Sequence, residues 1–125
     1  MSTKKVLSVG QCFADHGALR RTFHKHFDAE VVGADSAEEA LELLRDEPFS
    51  LVLVNRVLDA DGTSGIEVLR QIQANGKAMS VPVMLVSNYE DAQKQAEQAG
   101  AVRGFGKAAL GQPAMLALVR PFLER

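Results

Sequence analysis

Leu51-Val52-Leu53-Val54-Asn55 is a run of four branched aliphatic residues closed by a polar one. It is too short for a helix and is flanked by turn-forming residues, so it reads as a strand buried on both faces. Strands of that kind belong to parallel sheets covered by helices. In such sheets ligands collect just past the carboxyl ends of the strands. Asn55, at the tip, is therefore the first residue to question for chemistry, and it is an amide.

On the N-terminal side, Lys5-Val6-Leu7-Ser8-Val9 is a first strand, followed by Gly10 and Gln11, and Glu30-Val31-Val32-Gly33 is a second. Between them a helix is expected from about Ala14 to Phe27, because Leu19, Phe23 and Phe27 fall four apart on one face. Ser36-Ala37-Glu38-Glu39 has the form of a capping box. The helix it opens turns Ala37, Ala40, Leu41 and Leu44 inward and leaves at Pro48.

On the C-terminal side, a loop rich in Asp, Gly, Thr and Ser runs to Gly65. Ile66, Leu69, Ile72 and Gln73 stripe the next helix, and Asn75-Gly76 stops it. Val81 to Ser87 is a fourth strand, with Pro82 tolerable only near its start. Tyr89 to Ala99 is a polar helix that packs through alanines and is capped by Gly100. Ala101 to Phe105 is a fifth strand. Gln112-Pro113 opens a last helix with Met115, Leu116, Leu118 and Val119 as its core residues, and Pro121 is expected to bend or end it.

Five strands alternating with five helices require right-handed crossovers. The expected fold is α/β: a doubly wound five-stranded parallel sheet in the flavodoxin-like order 2-1-3-4-5, with residues 1–125 as one domain. That order sets strands 1 and 3 side by side. Gly10, Gln11 and Asn55 should then share one crevice, bordered by Ser87 and Lys107.

Composition narrows the classes. The 125 residues are 46% hydrophobic and 24% charged, with a net charge of -2, which is ordinary for a globular chain and gives no basic patch for nucleic acid. No apolar run approaches a membrane span. One cysteine cannot form an internal disulfide, so a cytoplasmic setting is expected.

Lys4 to Val9, Ser36 to Leu44, Leu51 to Val54, Val81 to Met84, and Gly100-Ala101 before Lys107 together resemble the receiver domain of two-component response regulators. In that family two acidic residues after the first strand hold magnesium. An aspartate ending the third strand takes the phosphoryl group, and a hydroxyl and a lysine after strands four and five bind its oxygens. Carried over by position, Ser87 matches the hydroxyl and Lys107 the lysine. The acidic pair falls on Gly10 and Gln11, and the phosphoacceptor on Asn55.

An amide is a much poorer nucleophile than a carboxylate, and magnesium prefers carboxylate oxygens. The resemblance therefore implies a pseudo-receiver that is no enzyme, takes no cofactor and has lost magnesium. Three further departures concern the switch. Ala108 stands where a proline usually follows the lysine. Gly104 stands at the position of the switch aromatic, with Phe105 on the opposite face. The loop after Asn55 is about two residues longer than usual.

The four crevice positions sum to about +1, from Lys107 alone, where the family carries about -2. The pocket is then expected to tolerate an anion or to be plugged, and Asp15, Asp59 or Asp61 could lean in to restore the lost charge. Blander roles remain beside these: Asn55 as a loop cap, Ser87 as a turn hydroxyl bonded to backbone, Cys12 as a buried, inert thiol, and Lys107 in contact with Asn55 or Asp59.

The expected function is phosphorylation-independent signalling by protein–protein contact. The partner would be a histidine kinase or a chemotaxis or other regulatory component, without nucleic acid or membrane. The face made by the fourth helix, fifth strand and fifth helix is the expected docking and homodimer surface. The competing readings are a receiver phosphorylated at a displaced Asp59 or Asp61, and a small-anion or redox sensor acting through Lys107 or Cys12.

Overall fold

The computed structural model describes residues 4–75 and 80–124. Strands and helices alternate as β1 (Lys5–Val9), α1 (Phe13–Phe27), β2 (Glu30–Ala34), α2 (Ala37–Asp46), β3 (Leu51–Asn55), α3 (Gly65–Ala74), β4 (Val83–Val86), α4 (Glu90–Gln98), β5 (Val102–Phe105) and α5 (Pro113–Leu123). The strands are parallel, in the order β2-β1-β3-β4-β5. This is the flavodoxin-like sheet that the alternation of elements implies.

The central strand is buried on both faces, and Leu51 to Val54 are fully buried. Period-two alternation divides them. Val52 and Val54 join Leu7, Val9 and Leu85 in a core shared with α2, α3 and α4. Leu51 and Leu53 join Val6, Met84 and Val86 in a second core with α1 and α5, where Leu19, Phe23, Met115 and Val119 meet them. Each buried aliphatic side chain contributes about 1.5–3 kcal/mol by leaving water, so the sheet centre is the firm base on which the strand tips stand.

Several boundaries move for local reasons. The capping serine behaves as its sequence signature predicts, since Ser36 Oγ accepts from the Glu39 amide at 3.1 Å. The first helix begins at Phe13, with Cys12 as its N-cap, and β2 runs on to Ala34, which pairs with Val9. In α3, Val68 takes the buried place expected of Gln73, whose amide instead donates to the Gly100 carbonyl at 3.0 Å. Asn75 is the C-cap of α3; Gly76 lies outside the described residues.

The fourth strand is shorter than Val81–Ser87. Pro82 has no N–H and gives the sheet only its carbonyl, to the Val52 amide at 2.9 Å. Tyr89 is the N-cap of α4 rather than part of it, and β5 begins at Val102. Pro121 does not end α5, which continues to Leu123. The Ala117 carbonyl that loses its partner there belongs to an exposed residue open to water, and the buried Leu123 anchors the final turn.

Candidate functional site

At the tips of β1 and β3 the polar groups are tied to each other. Asn55 Nδ2 donates to the Gly10 carbonyl at 3.0 Å, and the Asp59 amide donates to the same oxygen at 3.0 Å. Gly10 has φ +77, and a Cβ there would fall 2.4 Å from Cγ of the buried Leu58. Both the backbone conformation and the space therefore demand glycine. Gly65 is similarly constrained, because a Cβ on it would lie 2.0 Å from the Asn55 carbonyl oxygen.

Gln11 does not share the crevice with Asn55, contrary to the grouping that strand order suggests. Its side chain turns beneath α1, where it is 8% exposed and lines a separate cavity with Asp15, Leu19, Phe105 and Lys107. The cause is local: Gly10 makes a left-handed turn at the strand end, which redirects the next residue inward.

The crevice itself is about 250 Å³ and is bordered by Asn55, Arg56, Ser87, Asn88, Tyr89 and Lys107. Ser87 Oγ accepts from the Tyr89 amide at 3.1 Å, the turn role expected of a hydroxyl at a strand end. Lys107 reaches neither Asn55 nor Asp59; its Nζ sits 2.6 Å from Asp15 Oδ2. The lysine hydrogen bond holds the Asp15 carboxyl below the usual carboxylate range. Asp15 thus cancels the charge expected of the crevice. Arg56 restores a cation on its other wall, with its guanidinium 5.0 Å over the Tyr89 ring.

The loop after Asn55 closes on itself. Val57 bridges Ser64, and Asp61 Oδ1 accepts from the Thr63 amide at 2.9 Å and from Thr63 Oγ1 at 2.6 Å. Those bonds lower the Asp61 pKa. Asp59 is exposed. Cys12 is half-buried, and its Sγ accepts from the Asp15 amide at 3.5 Å as the cap of α1. Among the described residues no three His, Cys, Asp or Glu side chains cluster closely enough to hold a metal ion.

The family model of the response regulator receiver domain matches residues 14–119. The chain belongs to this family. Comparison with curated proteins gives no match. Among solved structures, the receiver fold is shared with a chain assigned as a response regulator from Chloroflexus aurantiacus, at TM-score 0.85 and 19% identity over 99% of this chain and 100% of that one. A response regulator receiver protein from Pseudomonas putida superposes at TM-score 0.77 and 23% identity, covering 97% and 98%. The receiver domain of a sensor histidine kinase from Pseudomonas aeruginosa, which carries a magnesium ion in its active-site cleft, does so at 0.78 and 15%, covering 97% and 98%.

Set against the family pattern, this receiver offers a donor set that does not suit magnesium. Gly10 has no side chain, Gln11 points under α1, and Asn55 offers only a neutral amide oxygen, its nitrogen being bonded to the Gly10 carbonyl. Ala108, at the usual proline position, uses the N–H a proline lacks to donate to Asn88 Oδ1 at 3.2 Å.

A buried polar residue that no motif marks ties α4 to β4 and β5. Gln93, in the middle of α4, is 4% exposed. Its Nε2 donates to the Leu85 and Ser87 carbonyls at 2.9 and 3.1 Å, and its Oε1 accepts from the Gly104 amide at 2.9 Å. Gly104 sits at an irregularity where Arg103 and Gly104 of β5 stand opposite Leu85 alone in β4, and a Cβ on it would lie 2.2 Å from the Leu85 carbonyl oxygen. Phe105 packs on the other face with Met115 and Val119. The only sequence signal for Gln93 was its neighbour Ala92 and the alanine at 96, which mark the buried side of α4.

Proposed function

We propose that this receiver domain works in two-component signalling without accepting a phosphoryl group, as a protein–protein interaction module. The observation that carries the reading is the state of Asn55. Its position is that of the family's nucleophile, yet it is a neutral amide whose nitrogen is bonded to the Gly10 carbonyl. An amide oxygen attacks phosphorus poorly, and phosphoryl transfer relies on metal and positioning to stabilise the transition state. With no carboxylate at Gly10, Gln11 or Asn55, magnesium binding is lost and no catalytic role remains.

The partner is a cytoplasmic signalling protein, such as a histidine kinase or a chemotaxis component, met through α4, β5 and α5. Tyr89 is 62% exposed at the start of that face and Val102 36% exposed within it. The same surface would serve a homodimer. A displaced acceptor at Asp61 is disfavoured because its carboxylate is engaged by Thr63, which leaves the exposed Asp59 as the competing acceptor.

The test is intact mass after incubation with magnesium and acetyl phosphate, beside an Asn55→Asp variant. The expected result is no phosphoryl adduct on the native chain. A base-labile adduct that peptide mapping places on Asp59 or Asp61 would overturn the proposal.

A further inference from the structure

We propose that the cavity beneath α1 binds a small uncharged molecule carrying a hydrogen-bond donor and acceptor side by side, the chemistry of a primary amide, a lactam or a urea. The site lies between α1, β4, β5 and the turn after β5, across Lys107 from the Asn55 crevice. It stands whether or not the chain accepts a phosphoryl group.

The cavity measures about 120 Å³. A single water needs roughly 10–15 Å³ on this scale, so there is room for more than one. Leu19, Val86, Phe105 and Leu110 make apolar walls. Among them stands the Gln11 amide, with its Oε1 and Nε2 both buried and both without a hydrogen-bond partner. Buried side-chain polar atoms are partnered in the large majority of cases, so a primary amide missing both kinds of bond points to an occupant that supplies them. Turning the amide over changes which atom faces which wall, but one donor and one acceptor are always presented together.

Charge decides against an ionic ligand. Asp15 and Lys107 close the solvent side, 2.6 Å apart, and neutralise each other. An added ion would lie beside a satisfied pair and against hydrocarbon, where its lost hydration goes uncompensated. Water would satisfy Gln11 but leave the four apolar walls in contact with a polar liquid. A molecule with a polar edge and a carbon body suits both.

The experiment is a titration of the full chain with acetamide and 2-pyrrolidone, followed in 1H–15N spectra. Saturable shifts are expected at the Gln11 side-chain amide and at the backbone of Leu19, Phe105 and Leu110. Cyclopentanone, which keeps the ring and the acceptor but lacks the donor, should bind at least tenfold more weakly to the native chain. The Gln11→Leu variant should lose the response to 2-pyrrolidone while keeping a dispersed, folded spectrum. Shifts that stay linear, equal binding of cyclopentanone, or unchanged binding by Gln11→Leu would each overturn the proposal. So would long-lived water detected at Gln11 Nε2 that neither amide displaces.

Discussion

The two halves of the candidate site have departed from the receiver pattern in different ways. On the β1–β3 side the charged side chains are gone, and the backbone has closed over their places. Gly10 is turned into a conformation that admits no Cβ, and Asn55 is bonded to its carbonyl. On the β4–β5 side Ser87 and Lys107 remain, but each has an internal partner: the Tyr89 amide for one, the Asp15 carboxylate for the other. The first change is built into packing and should resist reversal. The second rests on part-buried side-chain contacts and should be easier to alter.

The largest effect should come from trying to reverse the packed half. Gly10→Asp puts a carboxylate at the β1 tip but sets a side chain on a left-handed backbone against Leu58. Overpacking and strain together should cost about 3 kcal/mol, read as a lower urea midpoint at unchanged slope. An Asp at this position that left stability intact would show the β1 tip to be adaptable, and the contrast between the halves would fail.

Next comes the seam that borders the other half. Gln93→Ala leaves the Leu85 and Ser87 carbonyls and the Gly104 amide without their partner. Orphaned buried groups cost about 1–3 kcal/mol each, so a loss of about 2 kcal/mol is expected once water repairs part of the damage. Hydrogen exchange at Gly104 should accelerate more than at the β3 amides. Equal acceleration in both places would mean that Gln93 supports the whole sheet rather than this seam.

The smallest effect should be at Asp15. The Lys107 contact is half-exposed, so Asp15→Asn should cost under about 1 kcal/mol at neutral pH. The carboxyl is held below its ordinary range in the folded chain, which makes the contribution fully present above that range and lost as pH falls through the folded value. The stability gap between native chain and variant should therefore narrow on acidification below the ordinary carboxylate range. A gap that widened there would mean that Asp15 is stabilised by something other than Lys107.

Strand order, the two-sided burial of Leu51 to Val54 and the Ser36 cap were legible because each rests on local spacing and residue type. So was the absence of carboxylates at Gly10, Gln11 and Asn55, since position along a strand end is carried by the chain itself. The partners of those residues were not legible. Sequence position suggests Asn55 or Asp59 as the partner of Lys107, yet Asp15, in the first turn of α1, is the carboxylate within reach. Gln11 was grouped with Asn55, but the left-handed turn at Gly10 sends it under α1. Gln93 looked like one more polar residue of a solvated helix, and its burial follows from the β4–β5 irregularity at Gly104, which leaves carbonyls and an amide to be satisfied from outside the sheet.

By itself, then, the sequence determined the architecture and which chemical groups stand at each strand tip, because periodicity and residue identity are properties of the chain. Only the tertiary structure decided which of those groups meet. Hydrogen bonds and ion pairs act over a few ångströms, and residues 92 positions apart, such as Asp15 and Lys107, are brought to that distance by the fold alone.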